Sequence, residues 1–495
     1  MPRYQSLIAT VSDAMLGSRS LLSRHGGRGQ PQHAFADFLA PSNSPLGRHR
    51  SRTVNFVLRL FVLCCVVVAS TTLLSSVFSA VDNYPRQWTN SGIHQRKQKT
   101  TVTQFDASVS RDKGIVMCMH NAAVPLGLSL IRDLRCLGNQ ELVQVYHCLP
   151  HEMSDANRAL LLSSDARVEV VDVCTDLVNR GVMKRETAEK FRNWWLKPLA
   201  LYHTDILEVV LMDVDDVFLS DPAALRSTEG YQRTGTTFFY DRVLSSREWF
   251  NQEVNNSTYL KTLLNSFDYA AFGLSPGAKI PEYLEHSYAY KEEASHEQDS
   301  SLVAVDKSRS GQAMAVMFWL ITVQRFEREF SFGDKETFWI AYALAKQEYF
   351  FSPWGPSVIE SSRNDDMKKH PDSLCGSLAH FMPVKDDTPE LLYVNGKALL
   401  DPFPEGLQNR GKASANVLYN PTPTFVTPRQ NRRPNGGTST SYNGEFPMEC
   451  LIGFGATPLP SNFAPQLLRR RMFYLGIRMD VLSVLDSCYI FDVAA

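Results

Sequence analysis

From residue 113 onward the chain alternates short apolar runs with stretches of helical spacing. Residues 114–119 (GIVMCM) form an unbroken apolar run, the pattern of a strand buried on both faces. Residues 124–137 repeat apolar side chains every three or four positions and stop at Gly138, which predicts a helix with a glycine end. Residues 142–149 predict a second strand, and Ser154 opens a helix as an N-cap residue. Residues 168–173 predict a third strand. Residues 186–205 predict a helix broken or kinked at Pro198, and residues 208–214 a fourth strand. This β-α-β-α-β-α-β order predicts an α/β fold with a mostly parallel sheet flanked by helices. Further on, residues 236–240 and 302–305 predict strands, and residues 312–328, 335–346 and 465–488 predict helices. Residues 419–447 are low in complexity and predict a disordered loop.

One apolar run breaks this pattern. Residues 60–81 carry no charge over 22 positions, enough for a helix of about 33 Å and a membrane crossing. The segment before it, residues 1–59, holds eight Arg, no Lys and two Asp, a net +6. Positive charge favours the cytosolic side, which predicts a single-pass type II anchor with the bulk of the chain in the lumen. Residues 82–112 then read as a stem, 113–410 as the main domain and 411–495 as a C-terminal extension. Asn255-Asn256-Ser257-Thr258 offers two overlapping glycosylation sequons, at Asn255 and Asn256, as a lumenal domain would. Seven cysteines follow the anchor, so at least one stays unpaired in an oxidising lumen. Cys118, Cys148 and Cys174 fall in predicted strands and are expected to be buried free thiols.

The averages of the 495 residues are those of a globular protein: 44% hydrophobic and 21% charged, with net charge −1. They exclude a collagen, a coiled coil and wholesale disorder. A near-neutral chain also lacks the basic surface of a general nucleic-acid binder.

The candidate chemistry stands at the end of the fourth strand. Asp213-Val214-Asp215-Asp216 follows an apolar VVLM run, where ligands bind in parallel α/β sheets. Alternation places Asp213 and Asp215 on one face of an extended chain. Two hard oxygen donors suit Mn²⁺ or Mg²⁺, with phosphate oxygens filling the remaining positions. Two enzymes fit a strand followed by DxD. One is a nucleotide-sugar transferase. The other is a haloacid-dehalogenase-type phosphatase with Asp213 as nucleophile, although such an enzyme expects its motif on the first strand. A catalytically inactive lumenal glycan-binding protein is the non-enzyme alternative.

The stretches NWWLKPLALYHTDILEVVLMDVDDVFLSDP (193–222), GTTFFYDR (235–242), SSLVAVDKS (300–308) and GDKETFWIAYALA (333–345) resemble the fungal Golgi α-mannosyltransferases of glycosyltransferase family 71. That resemblance implies a GT-A-like fold, a Golgi membrane location, Mn²⁺, GDP-mannose as donor, a glycan acceptor and retention at the anomeric carbon. Carried over by position, Asp213 and Asp215 bind metal and diphosphate, and Lys197 faces the donor. Asp334, Lys335 and Glu336 line the acceptor or sugar side. Asp299 and Glu336 are the candidate carboxylates beneath the sugar, and Arg242 is a candidate diphosphate ligand. The chain departs from the family in reading DVDD where DADN is usual. It also carries Tyr393-Val394-Asn395 where a His-containing element is usual, which leaves the third metal ligand open.

Overall fold

A computed structural model describes residues 108–244, 246–275, 282–361, 372–401, 423–434 and 450–488. The basic tail, the anchor at 60–81 and most of the stem lie outside the described residues. Among the described residues no helix is long and apolar enough to cross a membrane.

The expected repeat is present as β1 (Lys113–Cys118), α1 (Val124–Cys136), β2 (Leu142–His147), α2 (Asp155–Ser164), β3 (Val168–Asp172), α3 (Val173–Asn179), α4 (Leu196–His203) and β4 (Glu208–Met212). Ser154 caps α2, its hydroxyl accepting the Asn157 N–H at 3.2 Å. β5 (Asp216–Phe218) leaves the main sheet, which is completed by β6 (Thr236–Tyr240) and β7 (Gln298–Asp306). The strand order is β3-β2-β1-β4-β7-β6. The strands from β3 to β4 pair in parallel, and β7 runs antiparallel between β4 and β6. The sheet is thus mostly parallel, as expected. β7 is longer than the run at 302–305 because its first half, Gln298-Asp299-Ser300-Ser301, is polar yet buried.

Both faces of the sheet are covered, and β4 shows how. Val209 and Leu211 enter the core that contains Leu199 and Ala200 of α4. Val210 and Met212 enter the core that contains Leu128, Ile131 and Leu134 of α1. A strand buried on both sides needs no polar alternation. The expected helix over 186–205 is corrected. Arg185–Ala188 is a separate short helix, and Pro198 stands in the first turn of α4, where its missing N–H costs nothing. Pro198 therefore helps to start a helix and does not break one. Further on are α5 (Ala313–Trp319), which runs into a π-helical turn at Leu320–Gln324, and α6 (Thr337–Leu344).

A second sheet, absent from the sequence reading, consists of β8 (Ser357–Val358), β9 (Leu378–Phe381), β10 (Leu391–Asn395) and β5 in the order β8-β9-β10-β5, all antiparallel. The C-terminal helix α7 (Phe463–Arg478) packs on it, with Phe463, Leu467 and Tyr474 in one core with Val217 and Val394. Part of the expected disordered loop is corrected too. Phe425–Val426 pairs with Thr457–Pro458, and Arg432 forms an ion pair with Glu297. Residues 419–422 and 435–447 lie outside the described residues.

Among the described residues three disulfides form: Cys136–Cys488, Cys148–Cys174 and Cys375–Cys450. The expectation of free thiols fails for Cys148 and Cys174. Cys148 directly follows β2 and Cys174 lies in the first turn of α3, just past the neighbouring β3, with Cα atoms 4.9 Å apart. Cys118 is unpaired, as expected.

Candidate active site

The polar residues converge where β1, β4 and β6 end and β7 begins. Met212 pairs with Leu302, and Tyr240 with Gln298, so Asp213 and Asp241 emerge on either side of the first residues of β7. The Asp213 N–H donates to the Ser301 carbonyl at 2.8 Å, and the Asp241 N–H to the Glu297 carbonyl at 2.9 Å. The acidic motif is a turn, not the extended chain expected: the Asp216 N–H closes on the Asp213 carbonyl at 3.4 Å. Asp213 and Asp215 are half-buried, while Asp216 is fully buried. Val214 is half-buried against Gly127 of α1, where a Cβ would lie 3.4 Å from Val214 and collide with Met119 at 2.2 Å. The second sheet adds Asn395, whose Nδ2 donates to Asp216 Oδ1 at 2.9 Å and Asp215 Oδ1 at 3.3 Å.

Lys197, in the first turn of α4, is the cation of this group. Its Nζ donates to Asp213 Oδ1 at 2.9 Å and to the Ser300 carbonyl and hydroxyl at 2.9 and 3.1 Å. Asp334 Oδ2 lies 3.2 Å away. Burial works against the Lys197 ammonium, but Asp213 and Asp334 hold its pKa above the ordinary lysine value. The acids stay under-compensated. Burial, reinforced by Asp215 and Asp334 and opposed by Lys197, pushes the Asp213 carboxyl up to about 7. Burial also raises Asp334. The Asp216 Oδ2 atom is buried with no hydrogen-bond partner. Asp334 does not cap α6. It is held beside Lys197 by Gly333, whose φ of +67° and contact with the Trp194 ring (2.9 Å from a would-be Cβ) suit only glycine. Trp194 is 43% exposed at this edge, whereas Trp195 packs edge-on against Phe330.

The other candidates are engaged by protein groups. Asp299 accepts from the Ser301 N–H (3.2 Å), the Ser301 hydroxyl (2.8 Å) and His380 Nε2 (2.8 Å). Burial would raise its pKa, but His380 holds it below the ordinary value. Glu336 accepts from the N–H groups of Glu297 (3.0 Å) and Gln298 (3.1 Å) and from Trp339 Nε1 (2.7 Å). Burial pushes it up to about 7. Both expected carboxylates thus lie at this edge, each with three hydrogen bonds from protein donors. Lys335 pairs with Asp241, and Arg242 donates to the Gly376 carbonyl at 2.7 Å. Asp241 was missed in the sequence. It is also 3.5 Å from His296, and burial, which would raise it, is outweighed by Lys335 and His296, which hold it well below the usual carboxylate range. Its position just past β6, at the same edge as Asp213, was the available signal.

Asn255 and Asn256 form the exposed two-residue turn between Glu253–Val254 and Ser257–Thr258. Both have positive φ (53° and 61°), which Asn tolerates in such hairpins.

Among the described residues no group of three or more His, Cys, Asp and Glu side chains is arranged to hold a metal. Asp213 and Asp215 still fit a hard divalent cation that takes its other oxygens from phosphate and water. Asp213, Asp215, Asp216 and Asp334 outnumber the nearby cations Lys197 and Arg470, and with Asp213 raised to about 7 this leaves a place for added positive charge.

Residues 112–381, more than half of the chain, match the model of the family described as "Mannosyltransferase putative". The chain is similar to alpha-1,3-mannosyltransferase MNT3 of Saccharomyces cerevisiae, 26% identical over 304 residues, 58% of this chain and 47% of that protein. It is similar to alpha-1,3-mannosyltransferase MNT2 of the same yeast, 24% identical over 310 residues, 60% of this chain and 52% of that protein. The chain thus spans about half the length of these curated relatives. A solved structure, core-mannan synthase A from Aspergillus fumigatus in a Mn/GDP form, overlaps 54% of this chain and 80% of its own, with 11% identity and a TM-score of 0.35. That overlap is too slight to build on.

Proposed function

This chain belongs to that mannosyltransferase family, and we propose that it transfers mannose from GDP-mannose to a glycan acceptor with an α linkage, in a metal-dependent reaction. The names of the relatives support mannose as the sugar and an α-1,3 bond as the product. The observation that carries the reading is the acidic turn at the carboxyl end of β4, where Asp213 shares Lys197 with Asp334 and is raised to about 7. We read the fold as GT-A-like, with the donor at this edge.

In this reading Asp213 and Asp215 hold the Mn²⁺ or Mg²⁺ and, through it, the donor diphosphate. When bound, the ion would offset charge growing on the departing diphosphate, worth several kcal/mol. Lys197 fixes Asp213 and Asp334 in place through its bonds to both strands of the site. Asn395 orients the far side of the turn. We favour same-face attack helped by the leaving phosphate for the retaining step, with Asp299 and Glu336 as the carboxylates of the alternative, because each already accepts three protein hydrogen bonds. Trp194 offers an exposed ring beside Asp334 for stacking on a sugar. The phosphatase alternative gains no support: the motif ends the fourth strand, and Asp213 Oδ1 is bound by Lys197.

We further propose a Golgi membrane location with the anchor at 60–81 and a lumenal enzyme. Three disulfides suit an oxidising compartment, and the exposed Asn255-Asn256 turn suits glycan addition. The test is a panel of nucleotide sugars with the detergent-solubilised chain and a mannoside acceptor. GDP-mannose with Mn²⁺ should give product, and chelation should stop it. Turnover of none of the donors would refute the proposal.

A further inference from the structure

α7 lies outside the residues that match the family, 112–381, yet it reaches the acidic turn. Arg470 on α7 is fully buried. Its Nη2 donates to the Val214 carbonyl at 2.7 Å and to the Asp216 carbonyl at 3.4 Å. Its Nη1 donates to the Leu126 carbonyl at 3.1 Å and to the Ser129 hydroxyl. One planar guanidinium therefore ties α1 to the backbone of the turn that carries Asp213 and Asp215. A buried carbonyl needs a donor, and in this turn Arg470 supplies it. Burial pushes Arg470 down to about 10, with Asp133, Asp215 and Asp216 holding it up, so it stays charged at neutral pH beside the acids. A lysine could match the charge but not the fork of donors.

Two other ties fix α7 without touching the turn. Arg469 Nε pairs with Asp133 Oδ1 of α1 at 2.7 Å. The disulfide Cys136–Cys488 joins the end of α1 to the chain beyond α7. These separate holding the helix from setting the turn.

We propose that Arg470 is a positioning residue of the transferase site, through which the C-terminal helix presets the turn 213–216 for metal and nucleotide diphosphate. The proposal rests on the reading of Asp213 and Asp215 as ligands of the metal-bound donor. Carbonyls held from behind fix the directions of the two carboxylates before any ligand arrives, so less ordering is left to the binding step.

The test uses the full chain in detergent, with R470Q, R470K, R469Q and C488S variants. Three quantities are read: the Kd for Mn²⁺ with GDP by calorimetry, amide exchange across residues 213–218, and thermal unfolding. R470Q should weaken Mn²⁺–GDP binding at least ~10-fold, the scale of losing a group that orients a metal ligand. The turn amides should exchange faster. R470K should recover unfolding temperature more fully than binding. R469Q should lower the unfolding temperature and leave Kd within ~2-fold, because it loosens the helix but not the turn. Equal loss of unfolding temperature in R470Q and R469Q with unchanged Kd would overturn the proposal. If R470Q does not fold, C488S decides. Faster exchange in both α7 and the turn supports the coupling, and faster exchange in α7 alone overturns it. Failure of the wild-type chain to bind Mn²⁺–GDP would instead refute the donor-site reading, while the exchange data would still report whether α7 sets the turn.

Discussion

Two sets of carboxylates occupy one edge of the main sheet and are held in opposite ways. Asp213 and Asp334 share Lys197 as their ammonium partner, Asp215 and Asp216 accept from Asn395, and burial drives Asp213 up to about 7. Asp299 and Glu336 accept three hydrogen bonds each from protein donors. The first set leaves buried negative charge under-compensated, as the proposed metal site would require. The second set is complete without a ligand. Residue type alone does not separate them, since all six are acids on or beside a buried strand. The number of donors that each acid meets does.

The largest expected effect comes from the first set. Asp215→Asn should cut metal-dependent transfer by at least ~10²-fold, since Lewis-acid assistance is worth several kcal/mol. Thermal stability should hold or rise, because one of several crowded charges is gone. Rates with GDP-mannose and unfolding temperature, measured on one preparation, check this. A variant that transfers normally would place the metal elsewhere.

The second set should respond in the opposite sense. Glu336→Ala strands two backbone N–H groups and an indole N–H in the interior, at about 1–3 kcal/mol for each unsatisfied donor. Stability should fall by several kcal/mol, read as a lower midpoint in urea, while the folded fraction keeps much of its activity. Loss of transfer with stability intact would move Glu336 into the chemistry.

The division was only half legible in the sequence. The parallel repeat and the position of the DxD could be read from apolar runs and a motif, while Lys197 came only with the family resemblance. The engagement of Glu336 and Asp299 could not. Their partners are backbone N–H groups of the buried polar start of β7 and His380 of the second sheet, which no periodicity announces. β5, β8 and β9 are two to four residues long, too short for a pattern. Arg470 lies more than 250 residues from the turn that it holds, and in α7 it stands among three consecutive arginines, of which the sequence does not say which one turns inward.

Acidity gives a third test. Glu336 keeps its proton in the folded chain up to about 7, against an ordinary value of 4.5. Between those values the unfolded chain has lost the proton and the folded chain has not. The folded state then binds more protons, so this group's contribution is complete below about 4.5 and is lost as pH rises to about 7. Subtracting the pH–stability curve of Glu336→Gln, which cannot titrate there, should leave that downward slope in the wild type. A flat difference would mean that the carboxylate is ionised and its surroundings are wetter than the burial of Glu336 implies.

The smallest effect is expected at Tyr393, which stands between the two sets on β10, two residues before Asn395. Its hydroxyl is 3.0 Å from Ser301 Oγ, and the Ser301 proton already goes to Asp299 at 2.8 Å. A hydroxyl has one proton to give, so the Tyr393 O–H is the donor to Ser301. Tyr393→Phe removes that single bond and leaves the ring on His380, with centroids 5.1 Å apart, and beside Phe218 at 5.5 Å. No buried donor is stranded. The expected cost is about 1 kcal/mol, a few degrees in unfolding temperature, with transfer within ~2-fold of the parent. A drop in transfer as deep as that of Asp215→Asn, at unchanged stability, would show that the network of Asp299, Ser301 and Tyr393 works on the substrate. The two sets of carboxylates would then be one site.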